Sequence, residues 1–92
     1  MTKKEVTVSD ILNGYKNPIA ELVQVACCYE SEITIQSDHR KINAKSIMGV
    51  MAFQPDKGMV VEVATEGKDE KAALAAMEGF LLCKKEETVS YA

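Results

Sequence analysis

The stretch Glu32-Ile33-Thr34-Ile35-Gln36-Ser37-Asp38-His39-Arg40-Lys41-Ile42-Asn43-Ala44 decides the fold class. Ile33 and Ile35 alternate with polar residues, the two-residue period of a half-buried strand. Ser37-Asp38-His39 reads as a turn. Arg40 to Ala44 is a second, shorter strand carrying Ile42. The two strands form a hairpin in the middle of the chain, which excludes an all-parallel sheet.

Upstream, Ile19, Leu22, Val23, Ala26 and Cys27 follow the i, i+3, i+4, i+7, i+8 stripe of an amphipathic helix. Asn17 is a good cap and Pro18 suits the first turn, so the helix runs from Pro18 to near Cys28 or Tyr29. Before it, Asp10 to Lys16 contains the turn-prone pair Asn13-Gly14 and reads as a loop. Glu5 to Ser9 alternates as a strand, with Val6 and Val8 on one face. Downstream, Ser46 caps a short helix reaching Phe53, and Gln54-Pro55-Asp56-Lys57-Gly58 breaks the chain. Met59 to Thr65 is a strand with Val61 and Val63 on one face. Gly67 precedes a last helix, capped by Lys68 or Asp69 and striped with Leu74, Met77 and Leu81 beside Ala73 and Phe80. Thr88 to Ala92 reads as a frayed tail. The order β-α-β-β-α-β-α predicts a two-layer α+β sandwich.

Composition narrows the function classes. The 92 residues suit a single domain spanning 1–92, and they are 47% hydrophobic and 27% charged, ordinary for a globular protein. Eleven basic against fourteen acidic residues give a net charge of −3, against a general electrostatic grip on nucleic acid. No apolar run is long enough for a membrane span, and the polar Met1-Thr2-Lys3-Lys4-Glu5 is unlike a signal peptide, so the expected compartment is the cytoplasm. Cys27, Cys28 and Cys83 are an odd set without Cys-x-x-Cys spacing. They read as small buried hydrophobes, with no metal site and no cofactor expected. The single His39 reads as a solvated turn residue.

One run is more specific. Asn43-Ala44-Lys45-Ser46-Ile47-Met48-Gly49-Val50-Met51 resembles the regulatory serine region of HPr, the histidine-containing phosphocarrier of the bacterial sugar phosphotransferase system. Pro18 opening the first helix, Leu22-Val23-Gln24 and Gly67-Lys68-Asp69-Glu70 extend the resemblance over nearly the whole chain. It implies an open-faced β-sandwich, a four-stranded antiparallel sheet with three helices on one face.

The family carries Gly-x-His-Ala-Arg-Pro where this chain has Asn13-Gly14-Tyr15-Lys16-Asn17-Pro18. Tyr15 stands at the phospho-accepting histidine and Asn17 at the arginine. Histidine, with a pKa of about 6.5, is nucleophilic near neutral pH, whereas tyrosine, near 10, stays protonated. Arginine grips phosphate with a planar fork that asparagine lacks. The resemblance is therefore to the histidine-less catabolite-repression paralogues (Crh-type) of Gram-positive bacteria, although those carry glutamine at the histidine position and keep the arginine.

The resemblance implies a non-catalytic regulatory adaptor. HPr kinase/phosphorylase would phosphorylate Ser46, and the phosphoprotein would dock to a transcription regulator such as catabolite control protein A. Ser46 alone reads as a helix cap; the surrounding run adds the phosphorylation site, with Lys45, Ile47, Met48 and Met51 as docking contacts. No catalytic residue, direct nucleic-acid contact or membrane contact is expected, and the chain is a monomer or a strand-exchanged dimer. The alternatives are a divergent phosphocarrier or a protein-binding scaffold without Ser46 phosphorylation.

Overall fold

A computed structural model describes residues 1–83, so the tail expected at 88–92 lies outside the described residues. The elements are β1 (Thr2–Thr7), α1 (Ile11–Gly14), α2 (Pro18–Cys27), β2 (Glu32–Ser37), β3 (Arg40–Asn43), α3 (Ile47–Phe53), β4 (Val60–Glu66) and α4 (Glu70–Leu81). The four strands form one antiparallel sheet in the order β1-β4-β2-β3. The hairpin pairs Thr34 with Asn43 and Ser37 with Arg40, and Asp38 turns it in the left-handed region at φ 54°.

The alternation read from sequence sorts the two faces of the sheet. Val6, Ile33, Ile35, Val61 and Val63 point inward and are essentially dry, while Lys3, Glu5, Glu32, Gln36, Lys41, Glu62 and Glu66 stay exposed on the other side. Leu22 and Ala26 of α2, Val50 and Phe53 of α3, and Leu74, Met77, Phe80 and Leu81 of α4 complete a single core. All three longer helices thus cover one face, as the open-faced sandwich requires.

Four local readings differ. Strand β1 begins at Thr2 and ends at Thr7. Val8 lies beyond it, yet its N–H bonds Met59 O and its carbonyl accepts from Gly58 N, both at 2.8 Å. The segment read as a loop contains α1, a single turn whose end donates from Gly14 N to Asp10 O at 2.9 Å. Four residues are too few to show a helical period, and the anchor is tertiary: Ile11 is 1% exposed. Cys27 and Cys28 are exposed rather than buried. The buried line of α2 runs through Leu22 and Ala26, and each residue turns about 100° around the axis, which carries Cys27 off it. Asp69 holds the N-cap position of α4, but its side chain makes no cap bond.

That carboxylate instead accepts from the N–H groups of Glu30 and Ser31, both at 3.0 Å, and from the Ser31 hydroxyl. It ties the start of β2 to the β4–α4 turn. Gly67 makes this approach possible. Its φ is +151°, and a Cβ there would meet the Ser31 Cα at 2.7 Å.

Candidate functional site

Ser46 sits where an extended backbone (φ −101°, ψ 113°) meets α3, and its Oγ accepts from Gly49 N at 3.1 Å. The cap expected from sequence is present. Because Val50 and Phe53 anchor the seven-residue helix to the core, the opposite side must face water. Ile47, Met48 and Met51 are 46%, 78% and 56% exposed. Met48 and Met51 stand one turn apart on that side. The three expected apolar docking residues therefore form one exposed patch beside the serine.

Lys45 is arranged differently from its neighbours. Its backbone N–H bonds the Asn43 side-chain oxygen at 2.8 Å, and its ammonium bonds Tyr29 O at 2.6 Å, just beyond the end of α2. Its charge is engaged by a backbone carbonyl within the fold. Arg40, which sequence reasoning did not single out, holds the other end of α3. Its guanidinium donates to Ala52 O and lies over the Phe53 ring, 5.4 Å from the centroid. A cation at a helix C-terminus is favourable, but the sequence spaces Arg40 twelve residues away and gives no local signal.

Tyr15 and Asn17 lie between α1 and α2, where Tyr15 is fastened to α4. Its ring stacks on Phe80 with centroids 4.1 Å apart and planes within 6°. Its hydroxyl donates to Phe80 O at 2.9 Å, a carbonyl that also receives Cys83 N at 3.0 Å. Gly14 comes so close to Cys83 that a Cβ would lie 2.9 Å from Sγ. Asn17 is the N-cap residue of α2 without a side-chain cap bond; its backbone N–H instead bonds Glu21 Oε2 at 3.1 Å. His39 is exposed in the hairpin turn, apart from both regions.

Among the described residues, no group of three or more His, Cys, Asp or Glu is placed to hold a metal ion, and no helix is long and apolar enough to cross a membrane. The architecture is that of a carrier or adaptor surface. A family pattern described as "PTS HPr component phosphorylation site" matches residues 2–82. This chain belongs to the HPr family. It is 41% identical over 87 residues to the phosphocarrier protein HPr of Treponema pallidum, covering 95% of this chain and 99% of the relative. It is also 40% identical over 81 residues to the HPr-like protein Crh of Halalkalibacterium halodurans, covering 88% and 96%. Among solved structures, HPr of Bacillus anthracis superposes with a TM-score of 0.79 at 35% identity, over 87% of this chain and 95% of that one. Crh of Bacillus subtilis, described as a swapped-domain dimer, gives 0.67 at 34%, over 73% and 77%. This HPr-family chain is thus similar to both phosphocarriers and Crh proteins, whose shared business is carriage and regulation in the phosphotransferase system rather than catalysis.

Proposed function

We propose that this HPr-family protein is a regulatory adaptor of the cytoplasm that has left phosphoryl transfer behind and signals through Ser46. The observation that carries this reading is the position of Tyr15. In the place where the family's histidine is expected, the ring is stacked on Phe80 and its hydroxyl is bonded to a backbone carbonyl. A phenol of pKa about 10 is a poor nucleophile at neutral pH, and Asn17 lacks the guanidinium that clamps phosphate.

Ser46 supports the other half of the reading. It borders the exposed Ile47, Met48 and Met51 patch. A phosphate there adds roughly −1.5 to −2 charge and suits an arginine fork on a partner. Lys45 would leave Tyr29 O only if the phosphate or a partner carboxylate drew it away. HPr kinase/phosphorylase is the enzyme this reading calls for, and a regulator of the catabolite control protein A type is the partner.

Two incubations test it, each followed by intact-mass measurement. HPr kinase with ATP should add one phosphate, which Ser46→Ala abolishes. Phosphorylated Enzyme I should add no acid-labile phosphate. Labelling from Enzyme I would favour a divergent phosphocarrier, and no labelling from either source would favour a scaffold. The state of assembly belongs to the same proposal. Strand β1 lies at a sheet edge and pairs only with β4, so exchanging it between two copies would leave the rest of the sheet intact.

A further inference from the structure

We infer that Glu21 closes the N-terminal end of α2 to phosphoryl oxyanions, acting as a built-in occupant of the position that an incoming phosphate would take. The inference rests on the reading that the position-15 region has lost phosphotransfer, and it names a residue that enforces the loss. A helix N-terminus presents N–H donors and a partial positive charge, which together favour an anion. Here Pro18 opens the helix without an N–H, so the Asn17 amide is the donor nearest its start. That amide is already bonded to a carboxylate oxygen, Glu21 Oε2, at 3.1 Å.

Two features of the surroundings favour this arrangement. The acidic side chain lies in the first turn of a ten-residue helix, where the dipole stabilises negative charge. The Asn17 side chain makes no cap bond and so does not compete for the site. An arriving phosphate would have to displace one oxyanion from the amide while remaining beside its full charge. Tyr15 offers no nucleophile, and Glu21 offers no vacancy. The two changes act on different requirements of the same chemistry, the phosphoryl acceptor and the phosphoryl cradle.

The test uses the full chain labelled with ¹⁵N and titrated with inorganic phosphate, against chloride at equal ionic strength, while the Asn17 amide is followed by NMR. In the natural protein that amide should respond no more to phosphate than to chloride. In Glu21→Ala it should show a saturable, phosphate-specific shift. Glu21→Gln, which keeps a neutral acceptor oxygen and so guards against mere loss of the helix start, should lie between them. Circular dichroism confirms that α2 persists. A saturable phosphate shift at Asn17 in the natural protein overturns the inference, as does its absence from both folded variants.

A second measurement reads chemistry. In a Tyr15→His, Asn17→Arg background, adding Glu21→Ala should raise the yield of phosphohistidine from phosphorylated Enzyme I several-fold. Equal yields with and without Glu21 also overturn the inference. Phosphorylation of the natural chain by Enzyme I would instead sink the functional reading. The amide titration judges Glu21 independently of that outcome.

Discussion

Tyr15 does two separable jobs, and single substitutions tell them apart. Tyr15→Phe keeps the stack on Phe80 but removes the bond to its carbonyl, so it should cost about 0.5–1.5 kcal/mol in urea unfolding. Tyr15→Ala loses the aromatic pair as well and should cost more. Ser46→Ala removes the cap on Gly49 N and should cost about 0.5–2 kcal/mol, so folding must be verified before lost phosphorylation is read as chemistry. The identity of Tyr15 was plain in the sequence, but its attachment was not. Position 80 is sixty-five residues away, and nothing local marks which aromatic a loop tyrosine will find. Lys45 shows the same blindness: its neighbour Ser46 suggested a phosphate or a partner carboxylate, and the fold supplied the carbonyl of Tyr29.

At the scale of elements, α3 divides its side chains between two tasks. Val50 and Phe53 hold it to the sheet while Met48 and Met51 face outward. Met48→Asp should therefore leave stability within about 0.5 kcal/mol of the natural protein. If the patch docks a partner, binding of the Ser46-phosphorylated protein should weaken by at least about 2 kcal/mol in calorimetry. Unchanged binding would move the interface off this helix. The longer elements were legible because their periods are long enough to count: the Leu74, Met77, Leu81 stripe of α4 and the alternation of β2 and β4 all proved to mark buried faces. One-turn α1 was not legible, since its only strong determinant is the burial of Ile11 by distant residues. The exposure of Cys27 was missed because a five-residue stripe fixes the rotation of a helix only to within a residue.

For the whole molecule, two adjacent carboxylates join the ends of distant elements. Asp69 links β2 to α4 through Ser31 and Glu30, and Glu70 links β1 to α4 by accepting from the Thr2 hydroxyl at 2.7 Å and Gly67 N at 3.1 Å. Donation by the Ser31 hydroxyl first, then by the Glu30 amide, lowers the pKa of Asp69 below its ordinary value; the Thr2 hydroxyl and then Gly67 N do the same for Glu70. Groups with depressed folded-state values contribute stability that is fully present above their unfolded pKa, about 4 for carboxylates. It is lost as pH falls through the lower folded values. Thermal unfolding should therefore drop on acidification below pH ~4, and Asp69→Asn should flatten that dependence while lowering stability at neutral pH. Gly67→Ala should be worse than either. A backbone of this kind alone costs about 1–3 kcal/mol for a residue with a side chain, and the added Cβ would strike the Ser31 backbone. The resemblance in sequence anticipated the sheet and its covered face, but not this fastening of the sheet's outer strands to one helix.

The cap at Ser46 carries a kinetic consequence. While its oxygen holds the Gly49 amide, the hydroxyl is tethered to the first turn of α3 and is not at liberty to reach into another protein's active site. A modifying enzyme must wait for that turn to fray, or must fray it. The solvent exchange of the Gly49 amide hydrogen is then a clock for the target's availability. Substitutions that slow this exchange, by strengthening the first turn without touching Ser46, should slow modification in the same proportion, turning a small helix terminus into the timer of a signal.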